Sequence, residues 1–265
     1  MKNKKISCIQ PKDSPKMNAL FGAIEEGFPN AIKRNNQADL YVLWGLVGNN
    51  FQMMQAYKNQ WIFTDMPYHG RFDGEDYENS YWRWCFGGFH DERKLDVPSD
   101  RFEEWGLELK PYQPEGDFIL LCPSSETMTR AMYGINQDRW VQIMHDKIKQ
   151  HTKKPVRVRY KPRKNGTSGP LAETVSFKDD LEGAHAIVTS ASLTSIEALS
   201  LGVPVFTDTT HNPAAWCAEM DFSYLNTPNK YSREELFNNL AYKQYSIKEY
   251  RNGTAYENIY RHLHN

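Results

Sequence analysis

Apolar residues lie along the chain in short continuous runs that alternate with longer amphipathic segments. The short runs predict buried strands at 40–44, 61–64, 118–122, 156–160, 186–189 and 203–206. The longer segments predict helices at 17–26, 52–58, 137–150, 179–183 and 194–201. Strand, helix and strand follow one another in two separate stretches, as in parallel βαβ units. The pattern therefore predicts an α/β protein.

The region between these two stretches breaks the pattern. Residues 66–116 carry glycine, proline, aromatic residues and charges without a clear period, and we expect them to be irregular. We predict one α/β domain over 1–112 and a second over 113–245. A final helix over 246–265 is predicted from a capping-box pair at its start.

Several aromatic residues of the irregular region admit two interpretations. Aromatic residues make up 13% of the chain, and this region holds Trp82, Trp84, Phe86 and Phe89. They either form a small aromatic core or line a cleft that binds an acceptor substrate.

Charge and composition exclude several classes of protein. The 265 residues contain 32 Lys and Arg against 33 Asp and Glu, and the net charge of −1 argues against a dedicated non-specific nucleic-acid binder. No apolar run approaches the roughly 18 residues of a membrane span, and no secretory signal is recognisable. The four cysteines are widely spaced, which argues against zinc and fits a reducing cytoplasm. Cys122 and Cys217 lie in or near apolar runs and are predicted to be buried thiols.

The strongest candidate site lies where an apolar strand meets a helix. Between them lie Ser190, Ser192, Thr194 and Ser195, and Glu197 follows in the helix. Small hydroxyl residues let the backbone approach a ligand, and the N–H groups of a helix N-terminus favour an anion such as a diphosphate. Glu197 could accept hydrogen bonds from a ribose diol. The alternative is structural: Ser192 or Thr194 caps the helix, and Glu197 only favours its dipole.

The same segment resembles a known family. Residues 192–205 read Ser-x-x-Ser-x-Glu-Ala-Leu-x-x-Gly-x-Pro-Val, similar to the donor-nucleotide signature of GT-B glycosyltransferases. The resemblance implies two Rossmann-like domains facing a cleft, with the acceptor on the N-terminal side and a nucleotide sugar on the C-terminal side. It also implies that Glu197 binds the ribose, that Ser124 and Ser125 contact the donor, and that the terminal helix returns to the N-terminal domain. Sugar-nucleotide epimerases of the same architecture share this motif.

A basic segment is the second candidate. No acidic residue occurs over 147–172, and Arg157 and Arg159 alternate with apolar residues, so they share one face of a strand. Lys161 and Arg163 follow at the carboxyl end of that strand, where open α/β sheets bind ligands. The resemblance implies that Arg159, Lys161 and Arg163 contact the base or phosphates of the donor. The alternatives are a solvated charged face and contact with a nucleic-acid backbone.

The loop after the Gly-x-Pro-Val strand is a further candidate by resemblance. In GT-B enzymes this loop faces the sugar of the donor, which makes Asp208, Thr210 and His211 candidates for contacts with sugar hydroxyls. The alternative is an ordinary loop with a capping residue at Asn212 before Pro213.

A third candidate begins where the second predicted strand ends. Asp65 is followed in a tight turn by Tyr68, His69 and Arg71. Glycosyl transfer needs a base near the acceptor hydroxyl and cationic groups near the leaving phosphate. Asp65 or His69 could be the base, and Arg71 or Arg83 could hold phosphate. The alternative is that Asp65 is a turn or cap residue and His69 is structural.

This block also resembles a phage and prophage family. Its members show Trp-Gly, then Asp-x-x-Tyr-x-x-Arg, then aromatic residues with an arginine. The matching residues here are Trp44-Gly45, Asp65, Tyr68, Arg71 and the tripeptide 81–83. A closing Gln-x-x-x-x-Glu-x-x-x-Gly segment matches residues 244–253. The resemblance favours a phage-associated protein more than any particular reaction. Within this block Gly45, Tyr68 and Arg83 are further candidates for substrate binding.

Together these features predict a nucleotide-sugar-dependent glycosyltransferase with a compact GT-B-like fold. We expect a UDP-sugar donor and no metal or further cofactor, because helix N-termini and basic side chains can meet the phosphate charge. The predicted acceptor is a hydroxymethylated base in phage DNA within the host cytoplasm, since the basic segment suits a DNA backbone and the aromatic loop an extruded base. The alternatives are a bacterial surface saccharide as acceptor, a sugar-nucleotide epimerase, and a degenerate GT-B protein that binds nucleotide without turnover. The residues indicate no particular oligomeric state.

Overall fold

Two β-sheets organise the chain, each within one of the two units into which it divides. The computed structural model describes residues 4–10, 13–33, 37–58, 60–71, 77–113, 115–161 and 176–263. Unit 1 comprises Met1–Gly106 and Phe237–Asn265, and unit 2 comprises Leu107–Leu236. Within the described residues the strands are β1 (Ile6–Ile9), β2 (Leu40–Trp44), β3 (Trp61–Asp65), β4 (Tyr81–Phe86), β5 (Phe118–Cys122), β6 (Val156–Val158), β7 (Ala184–Thr189), β8 (Val205–Phe206), β9 (Ala218–Glu219) and β10 (Gln244–Ser246). The helices there are α1 (Pro15–Gly27), α2 (Asn50–Tyr57), α3 (Asp100–Glu103), α4 (Glu126–Tyr133), α5 (Gln137–His151), α6 (Phe177–Leu181), α7 (Thr194–Ser200), α8 (Glu234–Ala241), α9 (Ile247–Arg251) and α10 (Thr254–Leu263).

The sheet of unit 1 has the strand order β1–β2–β3–β4–β10. β1, β2 and β3 run parallel, whereas β4 is antiparallel to both of its neighbours, β3 and β10. α1 and α2 connect the parallel strands, which confirms the βαβ unit predicted over 40–64. Apolar residues of α1 and α9 cover one face, where Val42 and Ile62 are buried. On the other face Phe63 packs in a cluster with Met54 of α2.

β4 corrects the expectation that residues 66–116 are irregular. Trp82 and Trp84 are each 2% exposed and belong to the core that includes α1. Arg83 and Cys85 alternate with them, point to the other face and are buried as well. A strand buried on both faces lacks the alternation of apolar and polar residues that predicts a strand. The interpretation of these tryptophans as core residues is therefore correct.

The sheet of unit 2 has the order β6–β5–β7–β8–β9, and all neighbouring strands run parallel. From β5 the chain adds β6 on one side, and then returns to add β7, β8 and β9 on the other. The reversal between β5 and β7 is the topological switch point of a doubly wound sheet. The predicted strands 156–160 and 203–206 are shorter than expected, because β6 ends at Val158 and β8 begins at Val205. The fold is α/β, as predicted, with parallel strands in both sheets.

Two findings concern the described residues as a whole. All four cysteines are buried with free thiols, which confirms the prediction for Cys122 and Cys217. Across the described ranges, no helix has both the length and the apolar character needed to cross a bilayer.

The C-terminal segment joins unit 1 through β10 and α9. The predicted capping box forms at the start of α9: Ser246 Oγ accepts from Glu249 N at 3.2 Å, and Glu249 Oε2 accepts from Ser246 N at 2.8 Å. α9 packs against α1. At this contact a Cβ atom on Gly27 would stand 1.8 Å from the carbonyl oxygen of Tyr250. Glycine therefore permits the close approach of the two helices.

Gly27→Ala is expected to destabilise the protein by about 1–3 kcal/mol, because the added methyl group forces α9 away from α1. Gly22→Ala is the matched control on the same helix, since its Cβ would meet nothing within 4 Å. That variant should gain about 0.5–1 kcal/mol from helix propensity. Urea denaturation followed by tryptophan fluorescence measures both. An unchanged midpoint for Gly27→Ala would contradict the described packing.

Candidate functional site

The turns that follow β5 and β7 lie at the switch point of unit 2. Because these strands are parallel neighbours, their carboxyl ends leave the sheet at the same edge. Ser124 and Ser190 are 4% and 0% exposed there, and their Oγ atoms are 2.7 Å apart. Ser125 caps α4 by accepting from Met128 N at 3.3 Å. The structure thus joins Ser124 and Ser190, two predicted donor contacts 66 residues apart in the chain.

Buried polar side chains hold the backbone of these two serines. Gln137 Nε2 and Thr129 Oγ1 donate to the carbonyl oxygen of Ser124 at 2.6 and 3.3 Å. The side-chain amide of Asn212 donates to the carbonyl oxygen of Ser190. All three supporting residues are buried. The geometry of the serine pair is therefore fixed by partners outside the two turns.

Asp208, which follows β8, accepts hydrogen bonds from two aromatic side chains near this edge of the sheet. The Tyr133 hydroxyl donates to its Oδ1 at 2.9 Å, and Trp140 Nε1 donates to its Oδ2 at 3.0 Å. Burial, reinforced by the neighbouring Asp208 carboxylate, raises the pKa of Tyr133, so the phenol remains a donor at neutral pH. Both Asp208 oxygens thus have protein partners, and its contact with a donor sugar stays a prediction.

Hydroxyl groups also order the turn that leads into α7. Ser195 Oγ donates to the Ser192 carbonyl oxygen at 2.8 Å, and Thr194 Oγ1 donates to Ser192 Oγ at 3.0 Å. The N-cap residue is Leu193, which makes no side-chain cap bond, so the helix begins one residue later than a cap at Ser192 would give. Ser192 Oγ nevertheless accepts from the backbone N–H of Thr194 at 3.4 Å, within the turn. Glu197 follows in α7 and is exposed.

The charged candidates lie around the end of β6. Arg159 forms a buried ion pair with Asp180. Burial raises the pKa of Asp180, and the Arg159 guanidinium offsets part of this rise. Although Glu197 is exposed, surrounding protein atoms displace part of its solvent and raise its pKa, while nearby Arg159 lowers it. Lys161 is exposed, and Arg163 lies outside the described residues. In the part of the chain that the structure describes, no group of three or more His, Cys, Asp or Glu is placed to hold a metal.

The loop after β8 has a structural role at Asn212. Its Oδ1 accepts from Ala214 N at 2.8 Å, which forms the kind of turn expected of an asparagine before Pro213. His211 is exposed beside it, and its backbone N–H donates to Thr209 Oγ1 at 3.1 Å. Its contact with a sugar hydroxyl stays a prediction.

In unit 1 the predicted acceptor residues gather at the carboxyl ends of β2 and β3. Arg83 is 3% exposed and lies opposite Asp65, with its Nη2 3.4 Å from Asp65 Oδ2. Arg83 Nη1 donates to the Met66 carbonyl oxygen at 3.2 Å. The Asp65 side chain is 31% exposed, so its carboxylate is open to solvent. Gly45 adopts a φ of +56°, and a Cβ there would contact Asp65 Oδ2 at 3.8 Å.

Tyr68 and His69 continue this segment, and β10 holds their backbone. Gln244 Oε1 accepts from Tyr68 N at 2.7 Å and from His69 N at 3.1 Å, and its Nε2 donates to the His69 carbonyl oxygen at 2.9 Å. Tyr68 is buried, which raises the pKa of its phenol well above the usual value. His69 stacks on Trp105 with ring centroids 5.0 Å apart, and burial lowers the pKa of its imidazole, so the ring is neutral at pH 7. Arg71 is exposed.

The residues that support the serine pair and the segment after Asp65 carry no recognisable signal in the sequence. Tyr133 and Gln137 lie on α4 and α5, where polar residues are expected to face solvent. Gln244 falls in a family motif that assigns it no role. Its partners lie 175 and 176 residues away along the chain, and no local pattern indicates such contacts.

No protein-family model matches the chain, and no curated protein matches it in sequence. Solved structures with a similar fold include two from Thermosulfurimonas dismutans. One, "KpsC, beta Kdo 2,7 transferase", has a TM-score of 0.55 at 14% identity, covering 96% of this chain and 99% of that chain. The other, "KpsC, beta Kdo 2,4 transferase", has a TM-score of 0.50 at 11% identity, covering 92% of each chain. At these identities the likeness shows a shared fold.

Asp208→Ala is expected to lower the stability of unit 2 by about 1–3 kcal/mol, because the Tyr133 and Trp140 donors lose their acceptor. Tyr133→Phe removes one of these bonds and should cost about 1 kcal/mol. Asp146→Ala, at an exposed acid on α5, is the control and should stay within about 0.5 kcal/mol. Chemical denaturation measures all three. Equal effects of Asp208→Ala and Asp146→Ala would show that the hydrogen bonds to Asp208 do not stabilise unit 2.

Proposed function

We propose that the protein is a nucleotide-sugar-dependent glycosyltransferase and that unit 2 holds the donor. The observation that carries this proposal is the bonded pair Ser124 and Ser190 at the switch point of the parallel sheet. Ligands of doubly wound sheets bind outside the carboxyl ends of the strands at this point. The two similar structures from Thermosulfurimonas dismutans, both named as Kdo transferases, support the same function.

The groups at this edge match the parts of a nucleotide sugar. The small serine side chains are proposed to let a phosphate approach the turns, where backbone N–H groups at the start of α4 would donate to it. Exposed Glu197 is proposed to accept hydrogen bonds from the ribose hydroxyls. Lys161 supplies positive charge, whereas the charge of Arg159 is paired with that of Asp180 within the protein.

In this proposal Asp65 of unit 1 is the base. The acceptor hydroxyl gives its proton to the Asp65 carboxylate as its oxygen attacks the anomeric carbon. The bond from that carbon to the phosphate oxygen breaks, and the nucleotide leaves with the bonding electrons. Buried Arg83 orients the carboxylate through its contact at 3.4 Å. His69, neutral at pH 7, is the second candidate for the base, and Arg71 is proposed to stabilise the leaving phosphate.

For the acceptor, we favour a saccharide of the bacterial surface over hydroxymethylated DNA. The two similar structures from Thermosulfurimonas dismutans are named as Kdo transferases. The net charge of −1 points the same way, since binding to a DNA backbone depends on positive charge. Two arginines of the basic segment are also engaged within the protein: Arg157 lies 3.7 Å from the centroid of the Phe118 ring, and Arg159 pairs with Asp180. A phage origin stays a prediction.

Nucleotide binding is expected to raise the Tm of the full chain by mass action in a panel of UDP, CMP, GDP, dTDP and their sugars. Glu197→Ala should weaken binding about 10- to 100-fold, because it removes charge-assisted hydrogen bonds. Glu182→Ala, at an exposed acid beyond the amino end of β7, is the control and should bind normally. Repeating the panel with EDTA tests whether a metal is needed. No shift with any nucleotide would contradict a donor site in unit 2.

Asp65→Asn should lower kcat for transfer about 100- to 10,000-fold, because the amide cannot accept the proton. Nucleotide affinity should stay unchanged, and Asp13→Asn, at an exposed aspartate, should transfer normally. The assay offers oligosaccharides from bacterial surface polysaccharide and duplex DNA with hydroxymethylcytosine. Full turnover by Asp65→Asn would show that another residue is the base. Transfer to DNA alone would show that DNA, and not a surface saccharide, is the acceptor.

A further inference from the structure

Three polar residues lie side by side across neighbouring strands of unit 1. Asp65 of β3 is in register with Arg83 of β4, and Arg83 is in register with Gln244 of β10. Residues directly opposite each other on paired strands project from the same face of a sheet. The three side chains therefore form one row, which ends at the solvent-open carboxylate of Asp65.

Gln244 uses its whole amide group on the segment that follows Asp65. Its oxygen accepts from the backbone N–H groups of Tyr68 and His69, and its nitrogen donates to the carbonyl oxygen of His69, at 2.7, 3.1 and 2.9 Å. The side chain is 1% exposed, so water does not compete for these bonds. The amide thus takes the place of a neighbouring strand for a stretch of chain that has left the sheet.

Arg83 holds the other end of the same segment. Its guanidinium bonds to the Met66 carbonyl oxygen at 3.2 Å and to Asp65 Oδ2 at 3.4 Å. The chain from Asp65 to His69 is consequently fixed at both ends by buried side chains from two adjacent strands. A segment fixed in this way holds its carboxylate in one orientation.

We propose that Gln244 is a positioning residue, which orders the backbone of Tyr68 and His69 and thereby aims the Asp65 carboxylate at the acceptor hydroxyl. This inference rests on the proposed function of Asp65 as the base. A displacement of about 1 Å in such a group can lower the rate about 100-fold. Gln244 therefore acts on kcat and leaves the affinity of unit 2 for nucleotide unchanged.

The chemistry of the amide explains why glutamine stands here. The site needs one acceptor for two N–H groups and one donor for a carbonyl oxygen. Leucine provides neither, and an ionised glutamate provides only acceptors. A protonated glutamate provides a carbonyl acceptor and an O–H donor, which reproduces the arrangement of the amide.

The first test measures amide hydrogen exchange in the full chain. In Gln244→Leu the amides of Tyr68 and His69 should exchange about 10- to 100-fold faster, because their buried acceptor is lost. Amides of β3 should keep their protection. Tyr245→Phe is the matched control: it is buried on the same strand and removes a hydroxyl that donates to the Tyr242 carbonyl oxygen at 2.7 Å. Unchanged exchange at Tyr68 and His69, or equal acceleration throughout β3, would overturn the inference.

The second test uses Gln244→Glu, which retains the shape of the side chain. Transfer is measured with the nucleotide sugar that gives the largest Tm shift and with oligosaccharides from bacterial surface polysaccharide. Once the introduced carboxyl is ionised, kcat should fall about 10- to 100-fold with unchanged nucleotide affinity. The ratio of variant to wild-type kcat should rise as the pH falls, because protonation restores the missing donor. A reduced ratio that does not change with pH, or a normal kcat at a pH where the carboxyl is ionised, would overturn the inference.

The two tests separate this inference from the proposed function. If the wild-type protein transfers no sugar to any acceptor, the proposed function fails, and the exchange data still show whether Gln244 orders the segment. If the wild type is active and Gln244→Leu accelerates exchange without lowering kcat, the proposed function stands and the positioning role fails.

Discussion

The parallel pairing of β5 with β7 is the constraint on which the candidate donor site depends. Parallel neighbours cannot be joined by a tight turn, so the chain leaves each strand through a helix and returns to the opposite end. Both strands therefore deliver the residue that follows them to the same edge. Ser124 and Ser190 meet there, and Gln137 and Asn212 hold their carbonyl groups in place. The position of the site follows from strand direction, and its shape follows from the buried polar partners.

In unit 1 a different arrangement of strands positions the Asp65 carboxylate, the proposed base. β4 runs antiparallel to β3 and returns Arg83 to the level of Asp65, and β10 adds Gln244 beside it. A buried arginine is costly unless its charge is paired and its donors are used. Arg83 meets this requirement in part through Asp65 and Met66, and these bonds orient the carboxylate. The stability of this unit and the geometry of its proposed base thus depend on the same contacts.

The sequence predicts the parts of this fold whose local pattern reflects their surroundings. The apolar run at 118–122 and the helix at 137–150 are recognisable because burial on both faces, or on one face, leaves a clear period. β4 is not recognisable, since Arg83 is buried among aromatic residues and interrupts the apolar run. β10 has only three residues, too few for any period.

The candidate site shows the same division between local and long-range information. A motif indicates Glu197, the hydroxyl-rich turn after a strand indicates Ser190, and the end of another strand indicates Asp65. The bond from Ser124 to Ser190 and the bonds from Gln244 to Tyr68 depend on pairing between distant segments. Single-sequence patterns carry no information on which segments pair, so the supporting residues emerge only from the structure.

Amide hydrogen exchange of the full chain, with and without the best-binding nucleotide sugar, tests the central claim most directly. Ligand bound at the switch point should slow exchange in the turns at 124–128 and 190–196, after β5 and β7. The amino ends of the same strands, at 115–118 and 182–185, should be unaffected. Protection confined to those amino ends, or absent from both turns at saturating ligand, would contradict the account.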